Sequence, residues 1–422
     1  MSLKRKRFQK KEQKPFWQVD ESLTIILRTN NMENRTGIFT NGIIWFGVAI
    51  SVSEIEAGIQ IGTLSSLNSL WFPLILGHLL GGIMLFLVGY IGASVRKNAM
   101  ETTESTFGRY GSKFFASLNV LQLVAWVAVL NAQGASALAG LDPQISFPLI
   151  CMLFAIFIAI WVYVGLQRSS KVTAIVMMVL TILLAILTVR LYGFDASGII
   201  SAGNANSKVL DFWNIFEISI AMPISWLPVI SDYTKDVEKP INATAVSAAA
   251  YTIASLWMYF IGIEIAGMGL NNVAQAILLA NLGIPGVIIM VLSTITTNFL
   301  AANSAGESAK AIFHKLNPKI VGVIVSFISA VIAILGIMGH YISFLYLVAS
   351  VFAPMAAVLA VSFYLNMDDE CISKWNMFAW LAGFITYQLA IYQDSVFLGP
   401  TLLAIIVSAA ITYIGKFLKK RV

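Results

Sequence analysis

The sequence predicts an all-α integral membrane protein of twelve spanning helices, ten of them forming two five-helix halves of opposite orientation. Three observations carry that prediction. The chain has too little charge to cover a soluble surface. Its lysines and arginines fall on alternate loops. Helix-breaking residues recur at matching positions of spans one and six. Of 422 residues, 58% are hydrophobic and 11% charged, and the mean hydropathy is +0.81. A soluble domain carries about a quarter of its residues as charges.

Stretches of about 20 apolar residues read as spanning helices. They run over 39–63, 67–95, 114–138, 145–166, 172–192, 212–230, 246–268, 285–305, 320–338, 341–365, 375–392 and 398–414. Residues 271–282 form a short amphipathic stretch. The segment before the first span is basic and polar and lacks the apolar run of about 7–15 residues that a signal peptide needs. With the N-terminus inside, every Lys and Arg of the 27 except Arg190 and Lys208 falls on a cytoplasmic segment. Cations are retained on that side, so both termini are expected in the cytoplasm of a multi-pass plasma-membrane protein. The run Lys4–Lys11 then reads as a topology and anionic-lipid signal, not a nucleic-acid patch. Cys151 and Cys371 suggest neither a disulfide framework nor a zinc site.

Span one contains WFGVAISVSEIEAG (45–58), with Gly47, Ser51 and Ser53 beside two carboxylates. Span six contains FEISIAMPISWLPVISDYT (216–234), with Pro223 and Pro228. A proline inside a helix removes a backbone donor and kinks the axis. Unwound backbone is tolerated at membrane depth where it lines a cavity or is buried in protein. The breaks lie five spans apart, so the two helices cross in opposite directions, the signature of an inverted-repeat transporter. The expected division is a basic tail (1–38), a first repeat (39–192), a second repeat (212–365), two extra helices (375–414) and a basic tail (415–422).

Span eight carries STITTNFLAANSAG (293–306) without a charge. Ser293, Thr296 and Thr297 are spaced i, i+3, i+4 and share a face. Hydroxyl oxygens suit a hard cation. They also bond back to carbonyls of their own helix. Buried carboxylates are expensive and functional by default. Glu54 and Glu56 lie about 200° apart on a helix. Glu54 shares the face of Gly47, Ser51 and Gly58, and is expected to face the cavity. Glu217 and Glu264 are expected near the outer surface. Asp232 caps the inner end of span six, accepting backbone donors or pairing with Lys235. His78 reads as a helix-bonded polar residue, not a proton relay.

Three stretches together, WFGVAISVSEIEAG, MPISWLPVISDYTKD and STITTNFLAANSAG, resemble the nucleobase:cation symporter-1 family, which includes cytosine permease and bacterial hydantoin transporters. The resemblance extends to the CytX branch of hydroxymethylpyrimidine transporters. It implies a LeuT-like five-plus-five inverted repeat with two extra helices. It implies a coupling cation, sodium or proton, and no other cofactor. Its cation ligands would be Ser293, Thr296 and Thr297 with the main-chain carbonyls of Ala49 and Val52. Trp126 matches the span-three tryptophan on which planar substrates stack. Asn131 and Gln133 follow it. Ser225 and Trp226 of span six and Asn298 of span eight complete the implied substrate set, with Glu54 pairing to an aminopyrimidine edge. Asn298 and Asn303 are five apart where the hydantoin transporters would have four.

An integral-membrane enzyme is the competing class, but the chain has no H-E-x-x-H, paired-His cluster or phosphate loop. Asp368, Asp369 and Glu370 read as a solvated turn. An amino-acid transporter of the same fold would cradle a carboxylate, which an acidic cavity repels. A channel would need a filter-like repeat. The partners expected are therefore a small nucleobase-like ring and the bilayer, with neither nucleic acid nor an obligate protein partner.

Overall fold

The computed structural model describes residues 35–65, 67–141, 144–165, 170–192, 210–366, 370–393 and 398–419. The basic run at 4–11, the cations Arg168 and Lys208, and the acidic residues Asp368 and Asp369 lie outside them. Among the described residues the chain is helical, with one isolated β-bridge between Thr36 and Val237.

Span one is α1 (Ile38–Ala49) and α2 (Val52–Leu64), bent by 50°. Spans two and three are α3 (Leu67–Val95) and α5 (Glu104–Leu141), joined through the single turn α4 (Ala99–Thr102). Spans four and five are α6 (Phe147–Val164) and α7 (Ser170–Tyr192). Span six is α8 (Phe212–Ser225) and α9 (Leu227–Thr234). Span seven is α10 (Pro240–Gly267), followed by the short α11 (Val273–Leu279) within the expected amphipathic stretch. Spans eight to twelve are α12 (Gly283–Ile312), α13 (Pro318–Ile334), α14 (Tyr341–Tyr364), α15 (Glu370–Ala390) and α16 (Pro400–Lys419). Seven of these helices are individually long and apolar enough to cross a membrane, α8 and α9 together make an eighth such span, and the bent pair α1 and α2 a ninth. Pro318–Ile334 and Pro400–Gly415 are apolar but shorter.

Span nine ends four residues before the expected Met338. Gly336 there takes a left-handed φ of 97°, which stops the helix, and a 3-10 turn (Ile337–His340) leads into span ten. Span three starts earlier than expected, at Glu104, across a non-helical Gly108 with φ 70°.

Close packing is built on small residues. A Cβ on Gly262 of span seven would lie 2.1 Å from the Ile55 carbonyl oxygen, and one on Gly58 would lie 2.4 Å from that of Tyr259. The two backbones therefore touch, the arrangement that small residues permit between membrane helices. Span two meets span six the same way, with Gly77 against Ser219 and Gly81 against Pro223.

At one end of the bundle the ends of spans one, two, six and eight converge. Thr36 exchanges backbone hydrogen bonds with Asp236 and Glu238. The Arg96 guanidinium donates to the carbonyls of Lys235 and Val237, and Lys235 pairs with Glu307 at 3.4 Å. Asp232 accepts from the Ala99 N–H at 2.9 Å and so anchors α4.

Glu217 does not lie at the surface. It is buried, and its carboxylate accepts from the Thr401 N–H at 3.0 Å and the Thr401 hydroxyl at 2.6 Å. Span six thus caps the start of span twelve and fastens the extra helices to the repeat. Glu217→Ala should strand two buried donors and cost about 2–6 kcal/mol, at about 1–3 kcal/mol each. A lowered midpoint of thermal unfolding in detergent, with Glu264→Ala at the half-buried Glu264 nearly neutral, is the result expected.

Candidate substrate and cation site

The break in span one is an inverse γ-turn. Ile50 has φ −75° and ψ 84°, and the Ser51 N–H donates to the Ala49 carbonyl at 2.9 Å. Ser51 then caps α2, its hydroxyl accepting from the Glu54 N–H at 3.3 Å. The turn leaves the Val48 and Ile50 carbonyls unpaired within span one. The Thr297 hydroxyl of span eight lies 3.5 Å from the first and 3.4 Å from the second. The span-one carbonyls at span eight are therefore those of Val48 and Ile50, in place of Ala49 and Val52. Ala49 is engaged by the turn, and Val52 already belongs to the first turn of α2.

On span eight, the Thr296 hydroxyl donates to the carbonyls of Leu292 (2.8 Å) and Ser293 (3.2 Å). The Ser293 hydroxyl bonds to the Met290 carbonyl. The hydroxyls of Ser293 and Thr296 are thus both turned back on their own helix, and of the three side chains Thr297 is the one that hydrogen-bonds to span one. The oxygens brought together here, the Val48 and Ile50 carbonyls and the Thr297 hydroxyl, are neutral, hard donors of the kind an alkali cation takes.

Span six is broken more gently. Trp226 keeps right-handed dihedrals (φ −94°, ψ −5°) between α8 and α9, and the two run on as one span without the sharp bend of span one. Pro228 has no N–H, and the Val229 N–H turns to Trp226, so the Ser225 carbonyl is released. Gln122 of span three donates to that carbonyl at 3.3 Å. Asn119 donates to the Pro228 carbonyl at 2.9 Å and to Ser308 at 2.8 Å, and accepts from Gln122 at 2.7 Å. These two span-three amides, three residues apart on one face, hold the break at membrane depth; neither is among the residues the sequence singles out.

A cavity of about 450 Å³ opens at the end of the bundle opposite Lys235 and Glu307. Its polar lining includes Glu56, Gln60, Gln133, Asn271, Tyr341 and Ser343. Glu56, not Glu54, faces this space. The small-residue face of span one, with Gly58, packs against span seven, and Glu54 goes with it. Glu54 is 2% exposed; its Oε1 accepts from the Tyr251 hydroxyl and its Oε2 is hydrogen-bonded to the Ser255 hydroxyl, each at 2.8 Å. Both oxygens are taken by protein hydroxyls, so the expected pairing of Glu54 with a substrate amine is not the arrangement found.

The remaining residues divide. Gln133 lines the cavity. Trp126 is buried one layer below, edge-on to Tyr341 (6.3 Å) and Phe344 (5.2 Å), its indole N–H unpartnered. Tyr341 lines the cavity and bonds to Ser53 at 3.0 Å, joining span ten to span one. Asn131 turns away and donates to the Cys151 carbonyl of span four. The Ser225 hydroxyl bonds to its own helix at Met222. Trp226 packs edge-on against Trp45 at 6.1 Å. Asn298 is 0% exposed, and neither its amide nitrogen nor its carbonyl oxygen has a partner. Asn303 is engaged elsewhere, donating to the Tyr233 hydroxyl at 3.3 Å.

A broken span one set against a hydroxyl-bearing span eight, with a cavity opening at one end, defines a multi-pass membrane transporter of the LeuT-like fold and not an enzyme. The chain belongs to the family of permeases for cytosine/purines, uracil, thiamine and allantoin, which it matches over residues 30–416. It is 20% identical over 337 residues to cytosine permease of Escherichia coli K12, covering 79% of each chain. The inward-facing structure of Mhp1 superposes with a TM-score of 0.70 at 19% identity, covering 92% of both chains. The closed form of Mhp1, described as a nucleobase-cation-symport-1 family transporter with bromovinylhydantoin bound, gives 0.71 at 19% identity over 92% of this chain and 93% of that one. A sodium-coupled sialic acid symporter gives 0.69 at 16% identity over 91% and 90%.

Proposed function

We propose that this chain imports a pyrimidine or nucleobase-like ring, cytosine or hydroxymethylpyrimidine, by cation-coupled alternating access. Asn298 carries the reading. A buried carboxamide with both of its polar atoms unpartnered is costly to keep, and it offers a donor and an acceptor side by side, the complement of a heterocycle edge. It adjoins Thr297, so a ring held by Asn298 and a cation held at Thr297 would sit on neighbouring positions of one helix. The cavity lining supports the substrate class: Glu56 gives it one carboxylate and it has no cation, which suits an amine-bearing ring and disfavours an acidic substrate. The cytosine permease relatives and the hydantoin held by Mhp1 agree with a flat, nitrogen-rich substrate. Sodium is the coupling ion best matched by the neutral oxygens around Thr297. The orientation given by the basic loops puts both termini in the cytoplasm and makes the cavity outward-facing. The repeats are assigned to 39–192 and 212–365.

Trp126→Ala should weaken binding of every planar substrate alike, by about 1–3 kcal/mol if stacking on the indole contributes as it does for nucleic-acid bases. Trp126→Phe should lose less. Equilibrium binding of radiolabelled cytosine and hydroxymethylpyrimidine to the purified variants measures this. Unchanged affinity in Trp126→Ala would assign the residue to packing alone.

A further inference from the structure

Glu54 belongs to a chain of hydrogen bonds that crosses four spans. Its Oε2 faces the Ser255 hydroxyl at 2.8 Å. Ser255 Oγ faces His78 Nε2 at 2.8 Å. His78 Nδ1 faces the Ser219 hydroxyl at 2.6 Å and the Leu74 carbonyl at 3.1 Å. The Ser219 hydroxyl donates to the same Leu74 carbonyl. Glu54, His78, Ser219 and Ser255 are all buried, and among the described residues no lysine or arginine is.

The hydrogens along this chain can be counted. The Leu74 oxygen only accepts, and Ser219 spends its hydrogen on it, so Nδ1 must carry a hydrogen. Two gaps remain, Nε2 to Ser255 and Ser255 to Glu54. Each needs one hydrogen, and the Ser255 hydroxyl supplies only one. The other must sit on His78 Nε2 or on Glu54. With it on His78, an imidazolium donates to Ser255, and Ser255 donates to a carboxylate. With it on Glu54, the carboxylic acid donates to Ser255, and Ser255 donates to a neutral imidazole. The two forms interconvert when the Nε2 proton passes to Ser255 as the Ser255 proton passes to Oε2, with no net gain or loss. Without that proton, two lone pairs face each other across one of the gaps.

We propose that the Glu54–Ser255–His78 chain is a binding site for one proton, separate from the oxygen cluster at Thr297. The ionisable groups facing it are Tyr251 and Tyr259 of span seven and Tyr341 of span ten. Tyr251 bonds Glu54 directly, and Tyr259 packs edge-on to His78 at 4.7 Å. Each of these tyrosines is a neutral donor, so none supplies the missing charge. The proton joins span one, through Glu54, to spans two and seven. Its release loosens that joint, which makes the site a second point of ion coupling. The coupling role rests on the transporter reading given above, while the proton count does not.

The test uses the full chain in lipid nanodiscs without substrate, so its outcome is independent of which ring is carried. The protein has three histidines, and His78 can be identified in a 15N-histidine NMR spectrum by comparison with His78→Gln. The expected spectrum has Nδ1 of His78 protonated while the chain is intact. A pH-indicator titration should find one releasable proton per protein that Glu54→Gln lacks, because the carboxamide introduced by that substitution supplies the needed hydrogen permanently. The coupling role is read separately, with substrate present: uptake by Glu54→Gln in proteoliposomes should lose pH dependence that a variant at the half-buried Glu264, Glu264→Gln, retains. A neutral His78 with Nδ1 bare and Nε2 protonated would overturn the proposal, because that tautomer completes the two gaps with no extra proton. Equal proton release from wild type and Glu54→Gln would overturn it as well.

Discussion

Gly262→Ala is expected to leave little or no folded protein. The added methyl carbon would stand 2.1 Å from the Ile55 carbonyl oxygen and 2.7 Å from the Ile59 nitrogen. Both are backbone atoms of α2, so no side chain can swing away to make room. Overpacking in a core that can adjust costs about 1–3 kcal/mol. Here the adjustment is a displacement of half of span one, and the loss should exceed about 3 kcal/mol. Displacing α2 would also pull Glu54 from Tyr251 and Ser255, stranding a carboxylate in the membrane. Gly58→Ala, which meets the Tyr259 backbone from the other side, should behave alike. Gly267→Ala is the control: nothing stands within 4 Å of its Cβ. The measurement is the yield of monodisperse protein in mild detergent and its unfolding temperature. Wild-type behaviour of Gly262→Ala would mean that the two backbones are not in contact.

The second large effect is at Thr297. Thr297→Val keeps the shape and removes the one side-chain oxygen that reaches both freed carbonyls of span one. If the oxygens at Thr297 hold the coupling ion, losing this donor should weaken sodium-stimulated binding of the ring by about 1–3 kcal/mol, or roughly 5- to 150-fold. Binding in the absence of sodium should change little. Since Thr297 also bridges spans one and eight, a small drop in thermal stability is expected in both conditions. Sodium dependence equal to wild type in this variant would take Thr297 out of the coupling.

What was legible in the sequence follows from what the bilayer enforces. Apolar length located the twelve spans, but not all of their ends: span three starts at Glu104 and span seven at Pro240, both ahead of their apolar stretches, span eight runs on to Ile312, and span nine stops early at Gly336. The break in span one was visible through Gly47, Ser51 and Ser53 beside two carboxylates, taken together with the prolines at the matching position of span six. The side that Glu54 faces was not. Its neighbours Gly47, Ser51 and Gly58 are small, and smallness alone reads as room for a ligand. In the folded chain Gly58 makes room for span seven and Gly47 for Met177 of span five, and the bulkier face with Glu56 borders the cavity. Helical periodicity separates two faces but does not say which partner each one meets. The carbonyl register was hidden for a related reason: an inverse γ-turn at Ile50 shifts which oxygens are free, and no side chain reports that. Asn119 and Gln122 were readable in principle. Two amides on one face of an uncharged span have to be bonded to something, and the prolines of span six release carbonyls that need donors. Asn131 shows the limit of that logic, because an equally buried amide at a neighbouring position serves only the Cys151 carbonyl.

Transport by the purified chain is the most direct measurement of cation-coupled ring import. Proteoliposomes containing it would be loaded with potassium buffer, diluted into sodium or into acid, and given radiolabelled cytosine, hydroxymethylpyrimidine, hydantoin or an amino acid. The prediction is accumulation of an amine-bearing ring above its external concentration under an imposed cation gradient, collapsing when the gradient is dissipated and reduced in Thr297→Val. Accumulation of the amino acid with no ring transported under either gradient would contradict it.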